Sequence, residues 1–90
     1  MRSKKQFIIS ENSMYDWNVA RENMFDLRVL AKIKQSDLAN ILGYGVSSVS
    51  CYETGRSFPR IDYLISFCDF FGISVDDLFK ENLAKELGYL

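Results

Sequence analysis

The fold is decided by residues 35–53, which read QSDLANILGYGVSSVSCYE. Two short helices joined by a tight turn must cross closely, so a small residue is needed where their backbones meet, and Ala39 supplies it. Four positions later the turn needs a residue that tolerates a positive φ, which Gly43 provides. Six positions beyond Gly43, Val49 is the branched apolar residue that fills the crossing. The segment therefore predicts two short helices, one on each side of the turn at Gly43.

Apolar residues at helical spacing continue on both sides of this turn. They predict a long helix from Trp17 to Ala31, which Asp16 can cap, and a short helix over 46–54 directly after the turn. Beyond the break at Pro59, a further helix is predicted over 61–71, and a fifth one begins after the Ser74 cap. The sequence has neither strand alternation of useful length nor an internal repeat. The predicted fold class is therefore all-α.

The chain length allows one domain with short additions at its two ends. Ninety residues leave no room for a second hydrophobic core. We expect residues 1–22 to form an N-terminal extension that contains the start of the first helix. Residues 23–79 are expected to form the domain itself, and residues 80–90 a C-terminal helical tail that could serve in dimerisation.

The composition argues against catalysis, metal binding and membrane insertion. The chain has no histidine, and its two cysteines, Cys51 and Cys68, lack the spacing of zinc ligands. It has no Gly-rich phosphate loop, and no apolar run approaches the roughly 18 residues of a membrane span. We therefore expect a cytoplasmic protein that is not an enzyme, has no cofactor or metal, and keeps both thiols reduced.

The net charge of −1 conceals an uneven distribution along the chain. Residues 1–60 contain nine Lys and Arg against six Asp and Glu, whereas residues 61–90 contain two Lys against six Asp and Glu. One pole of the molecule can therefore approach phosphates while the acidic pole stays away from them. Because the basic surplus is small, we expect weak non-specific affinity for nucleic acid at physiological salt.

The second helix of the predicted pair has a face that the crossing does not use. With Val49 turned inward, the side chains of Val46, Ser47, Ser50 and Cys51 point away from the core. The major groove of DNA is wide enough to admit one helix. These four residues are therefore predicted to face a major groove.

The sequence resembles the phage-repressor and Cro-like helix-turn-helix family, also called the xenobiotic-response-element family. The matching pieces run without gaps from about Met24 to Phe79. They are Leu27-Arg28, Gln35, Leu38-Ala39, Leu42-Gly43, Val49-Ser50, Tyr52-Glu53-x-Gly55, Pro59, Leu64 and Phe71-Gly72-Ile73-Ser74-Val75-Asp76-Asp77-Leu78. The resemblance implies a five-helix, lambda-repressor-like DNA-binding domain whose third helix is the recognition helix. It also implies a transcriptional regulator of double-stranded DNA. We expect a repressor rather than an activator, because steric block of a promoter needs only a DNA-binding domain.

The resemblance implies roles for individual residues as well. It places Val46, Ser47 and Ser50 where family members contact base edges, with Cys51 beside them. Gln35 matches the residue that begins the second helix, contacts a backbone phosphate and buttresses the recognition helix. Arg28 and Glu53 match a pair that forms a salt bridge between the first helix and the recognition helix. Further contacts to the DNA backbone are implied for Ser36, Gly45, Ser48, Thr54, Arg56, Ser57 and Arg60, of which Arg60 can reach toward the minor groove.

The recognition helix departs from the family pattern in ways that weaken base reading. It has none of the Arg, Gln or Asn residues that make bidentate contacts to bases. Its cap is Gly45 instead of Ser or Thr, and the second helix follows Lys34, which is a poor cap. Val46 and Cys51 can meet thymine methyl groups, and serine hydroxyls accept several bases. We therefore expect DNA shape and thymine contacts to provide most of the sequence preference.

Two apolar groups exceed what a domain of this kind needs. One is the stripe Tyr63, Phe67 and Phe70 on the fourth helix, and the other is a repeat of leucines in the tail. Exposed apolar patches usually mark partner sites. The residues predicted to line a homodimer interface are Tyr63, Phe70, Leu83, Leu87 and Leu90. Alternatively, the N-terminal segment and the tail fold back and cover the stripe.

A protein-interaction module is the alternative function. An antitoxin that neutralises a toxin, with DNA binding as a secondary role, fits the polar, Arg-poor recognition helix and the acidic final third of the chain. Copurification with a second small protein as partner would distinguish this module from a regulator that acts on DNA alone.

Overall fold

The computed structural model describes residues 16–89, which form six helices and no strand. The helices are α1 (Trp17–Leu30), α2 (Gln35–Leu42), α3 (Val46–Thr54), α4 (Ile61–Phe71), α5 (Val75–Leu78) and α6 (Leu83–Glu86). The predicted all-α fold class is confirmed, and α6 is the helical part of the predicted tail. Residues 1–15, most of the predicted extension, lie outside the described residues. Within residues 16–89, no helix combines the length and the apolar character that crossing a membrane requires.

Polar side chains and a glycine mark the helix ends that the sequence predicts. At the start of α1, the Asp16 side chain accepts a hydrogen bond from the backbone N–H of Asn18 at 2.9 Å. At the start of α5, Ser74 and Asp77 form a capping box, in which each side chain accepts from the other residue's backbone N–H at 3.0 and 3.1 Å. Gly43 ends α2 with a φ of 79°, in the left-handed region that glycine tolerates. This turn directs the chain straight into α3.

The core is built around the crossing of α2 and α3. Leu38 and Val49 are fully buried there, and Ala39 is 3% exposed, so the small side chain lets the two backbones approach. Side chains from α1, α4, α5 and α6 pack into the same cluster. Burial of each large apolar side chain contributes roughly 1.5–3 kcal/mol, which fixes the crossing. Cys68 belongs to this core, where burial raises the pKa of its thiol to about 11 and the thiol packs as a small apolar group.

Tyr63 lies in the core, so the prediction that it lines a dimer interface is wrong. Its side chain is 1% exposed, and Phe67 on the same stripe is fully buried. The rings of Tyr44 and Tyr52 meet the Tyr63 ring edge-on, with centroids 5.0 and 4.7 Å away. Tyr44 lies in the α2–α3 turn and Tyr52 lies on α3. Their rings cover the part of the α4 stripe for which the sequence analysis found no packing partner. The same burial raises the pKa of the Tyr63 hydroxyl.

The tail folds onto α1, which makes the prediction of Leu83 as an interface residue wrong. Asn82 has a φ of 64°, a left-handed conformation that asparagine adopts more readily than most residues, and α6 begins directly after it. Leu83 is then 1% exposed within the core cluster, and Ala84 is 6% exposed. Of the remaining predicted interface residues, Phe70 and Leu87 are 43% and 42% exposed, and Leu90 lies outside the described residues.

Buried polar contacts of Asn23 connect α1 to the segment between α5 and α6. Its Nδ2 donates to the carbonyl of Leu78 at 2.7 Å and to the carbonyl of Lys80 at 2.8 Å. Asn23 is 7% exposed. Since a buried amide without partners is costly, these two bonds hold the end of α5 in one position against α1.

Candidate nucleic-acid interface

The turn between α2 and α3 determines where α3 begins. Gly45 is the N-cap of α3, in an extended conformation and without a side-chain hydrogen bond. The Tyr44 ring packs on Tyr63, and its hydroxyl donates to the carboxylate of Asp62 at the start of α4. This hydrogen bond raises the pKa of Tyr44 and lowers the pKa of Asp62. The turn is therefore attached to α4 by both ends of one tyrosine side chain.

One face of α3 is buried in the core, and the opposite face is open. Val46 is 48% exposed and Ser47 is exposed, while Ser50 and Cys51 are half-buried beside them. The only charged residue of α3 is Glu53, which is buried. The four residues predicted to contact bases thus share a solvent-facing side that has small side chains and no charge. Their contact with DNA stays a prediction.

A buried ion pair joins α1 to the end of α3. Arg28 Nε and Nη2 donate to Glu53 Oε2 and Oε1 at 2.6 and 2.9 Å, and the two side chains are 11% and 3% exposed. Gln35 Nε2 donates to Glu53 Oε1 at 2.9 Å. Arg28 Nη1 also donates to the carbonyl of Ile33 at 2.8 Å. Three helices, α1, α2 and α3, therefore meet at a single carboxylate.

Arg21 also bonds to Glu53, through the backbone carbonyl of Glu53 and not its carboxylate. The sequence analysis did not identify Arg21. Its Nη1 donates to the Glu53 carbonyl at 3.3 Å. Its side chain also lies over Gly55, where an added Cβ would stand 3.2 Å from Arg21 Cδ. A cation at this place stabilises the negative end of the α3 dipole. The available signal was the seven-residue spacing of Arg21 and Arg28, since such residues share one face of a helix.

The residues predicted to contact the DNA backbone lie near the start of α2 and at the two ends of α3. Ser36 and Gly45 are exposed at or next to a helix start, and Ser48 is half-buried in the first turn of α3. Thr54 is exposed, and its hydroxyl donates to the carbonyl of Ser50 at 2.9 Å. The side-chain amide of Gln35 donates to the carboxylate of Glu53. This is the contact by which Gln35 can buttress α3, as predicted. Phosphate contacts stay predictions for all of them.

The remaining predicted backbone contacts lie in the loop between α3 and α4, residues 55–60. Arg56, Ser57 and Arg60 are all exposed there. The backbone N–H groups of Arg56 and Ser57 donate to the carbonyl of Cys51 at 3.0 and 3.4 Å, which fixes the start of the loop to α3. Arg60 Nε lies 3.4 Å from Asp62 Oδ1 in an exposed ion pair, which contributes little to stability. Asp62 is a carboxylate within the candidate interface that the sequence analysis did not identify.

An exposed helix face with rigid support is suited to insertion into a DNA groove. The major groove admits one helix, and recognition helices present their first residues to base edges. Within residues 16–89, no group of three or more His, Cys, Asp or Glu side chains could hold a metal ion. The feature that stands out is therefore the outer face of α3 with the loop that follows it.

Comparison with known proteins agrees with this geometry. A family model described as helix-turn-helix matches residues 25–78, from within α1 to the end of α5. A curated relative is the cryptic phage CTXphi transcriptional repressor RstR of Vibrio cholerae, which is 28% identical over 57 residues, covering 63% of this chain and 51% of the repressor. The chain thus spans about half the length of the curated relative it matches. No solved structure matches the chain.

Proposed function

Because the chain belongs to the helix-turn-helix family, and its resemblance to phage repressors is confirmed, we propose that it binds double-stranded DNA as a transcriptional repressor. The observation that supports this most directly is the open outer face of α3. The inner face of α3 is fixed by Val49 in the core and by the ion pair of Glu53 with Arg28 of α1. Repression is favoured by the curated relative, which is named a transcriptional repressor.

The chemistry of the outer face favours modest base reading. The methyl groups of Val46 and the thiol of Cys51 can pack against thymine methyls, and the hydroxyls of Ser47 and Ser50 can donate or accept. No side chain on this face can make two parallel hydrogen bonds to one base. Preference for a site would therefore depend on thymine contacts and on how easily the DNA adopts the required shape.

Selection of duplexes from a random-sequence library, with the wild-type chain as bait, tests the proposal. We expect enrichment of sites rich in A·T pairs, arranged as two symmetric half-sites. The logarithm of the binding constant should fall linearly with the logarithm of salt concentration, by about 0.9 for each Lys or Arg that contacts a phosphate. Recovery of an unenriched library, together with a salt-independent signal, would rule out sequence-specific DNA binding.

We further propose that the chain binds DNA as a homodimer. Phe70 and Leu87 leave much of their apolar surface in water. Phe70 lines a groove of about 260 Å³ together with Ile41 and Leu42 of α2 and with Ser66 and Asp69 of α4. A single short helix with weak base contacts gains affinity when a symmetric partner occupies a second half-site. A second copy of this chain is therefore the partner that fits both the exposed apolar side chains and the proposed function.

Phe70→Asp and Leu87→Asp are each expected to shift the wild-type dimer toward monomer at micromolar concentration, and to weaken DNA binding in parallel. The reason is that an aspartate would bury its charge in an apolar interface. Ile65→Asp is the matched control, since Ile65 is exposed on α4 about 140° around the helix from Phe70. Sedimentation would measure the assembly state. A wild-type chain that sediments as a monomer would show that these side chains do not form a dimer.

A further inference from the structure

Phe58 is the most exposed of the large apolar side chains in residues 16–89, at 74%. It lies in the loop after α3, between Arg56 and Arg60, which are both exposed. Water solvates the cations on either side of this ring, whereas the ring itself would gain free energy from burial against a partner. Arg56 is exposed with no carboxylate in the loop itself, and Arg60 lies 3.4 Å from Asp62 Oδ1 in an exposed ion pair that an anionic partner can replace. An anionic partner that also has an apolar part would fit the two cations and the ring together.

Within residues 16–89, the aromatic ring that contacts the ring of Phe58 is that of Trp17. The Phe58 centroid lies 5.6 Å from the Trp17 ring at an interplanar angle of 53°, and Trp17 in turn meets Phe79 edge-on at 5.2 Å. Pro59 restricts the backbone that follows. The loop begins with two N–H groups bonded to the carbonyl of Cys51, so its position is tied to α3. Phe58 is therefore held in a defined place, with most of its surface presented outward.

We propose that Phe58 packs its outer surface against deoxyribose sugars of the DNA strand whose phosphates Arg56 and Arg60 approach. Along a DNA strand, charged phosphates alternate with sugars that have an apolar face. A phenyl ring between two arginines has the complementary alternation of charged and apolar groups. This inference rests on the proposed DNA-binding function and adds a residue to it. Phe58 contributes affinity by burying apolar surface, which does not release counterions. Its contribution is therefore independent of salt, unlike that of the two arginines.

The test compares Phe58→Ala with Arg56→Gln on a duplex selected by the wild-type chain. We expect Phe58→Ala to lower the affinity about tenfold at every salt concentration, while the slope of the salt dependence stays as in the wild type. Arg56→Gln should reduce the magnitude of that slope by about one. Phe58→Leu, which keeps apolar surface, should retain most of the affinity. Ile65→Ala removes an exposed apolar side chain from α4 and should bind as the wild type does.

The possible outcomes separate this inference from the function on which it rests. Melting of each variant, with binding measured well below both transitions, separates loss of contact from loss of fold. If the wild type binds and Phe58→Ala binds equally well, or if the salt slope falls together with the affinity, the sugar contact is overturned and the proposed function stands. If the wild type binds no duplex, the proposed function itself is overturned.

Discussion

Replacing Glu53 with alanine is expected to lower the free energy of unfolding by about 3 kcal/mol, because it removes one partner of a buried ion pair. The Arg28 guanidinium would lose both of its bonds to the carboxylate while its side chain stays only 11% exposed. The Gln35 amide would lose its acceptor at the same time. For a chain of this size the midpoint of thermal unfolding should fall by on the order of 15 °C. Circular dichroism against temperature would measure the change.

Asp37→Ala is the control for this change, since Asp37 is an exposed carboxylate in the first turn of α2. Its removal costs at most about 1 kcal/mol through the helix dipole. Replacing Arg28 and Glu53 together by apolar residues should recover part of the loss, because no buried charge then remains without a partner. Equal, small melting shifts for the two single variants would show that the pair does not stabilise the fold.

Ser47→Glu is expected to reduce duplex binding at least ~100-fold, which corresponds to about 2.8 kcal/mol. Ser47 is exposed in the first turn of α3, on the face proposed to enter the major groove. A carboxylate there would be repelled by the phosphates that flank the groove, and its larger side chain would prevent close approach. Because the side chain is in solvent, helicity and melting should stay as in the wild type. Fluorescence anisotropy with a labelled duplex would measure the affinity.

The control for Ser47→Glu must change the net charge without changing the interface. Lys85→Gln lowers the net charge by the same single unit at an exposed position on α6. We expect it to keep wild-type affinity to within about twofold, since exposed charges more than a Debye length from the DNA are screened. If Ser47→Glu binds as tightly as Lys85→Gln at low salt, the DNA contact lies elsewhere on the molecule.

Local sequence rules predicted the part of the fold that depends on local interactions. Ala39, Gly43 and Val49 each meet a requirement set by residues a few positions away, and the structure places them as predicted. The caps at Asp16 and Ser74 belong to the same class, since each cap bonds a backbone group two or three residues onward. Such features are readable from the sequence because their partners are close along the chain.

The errors concern which face of a helix other parts of the chain cover. Helical spacing showed that Tyr63 belongs to an apolar stripe, but it could not show that rings from Tyr44 and Tyr52 lie over it. The spacing of Leu83 in the tail likewise gave no sign that Asn82 turns the chain back onto α1. Long-range contacts of this kind depend on the geometry of the loops, which cannot be predicted from the spacing of apolar residues.

The residues of the candidate site also fall into those that were predicted and those that were missed. The ion pair of Arg28 and Glu53 followed from the family resemblance, because the two residues are 25 positions apart and neither local pattern nor charge connects them. Arg21 and Phe58 were missed, since the contact of each depends on how α1 lies beside the end of α3. The DNA contacts themselves stay predictions, because they involve a partner molecule whose position the chain alone does not determine.

Because of the hydrogen bonds of Asn23, the part of the chain that folds together is longer than the segment that matches the family. The helix-turn-helix family model matches residues 25–78, but Asn23, just before this segment, bonds to the carbonyls of Leu78 and Lys80, and Leu83 fills space beside α1. A fragment that ends at residue 78 would lose the Lys80 acceptor of the Asn23 amide and open the core beside α1 where Leu83 packs. Mutational tolerance in the tail should therefore follow its contacts with α1 and not its distance from the shared motif.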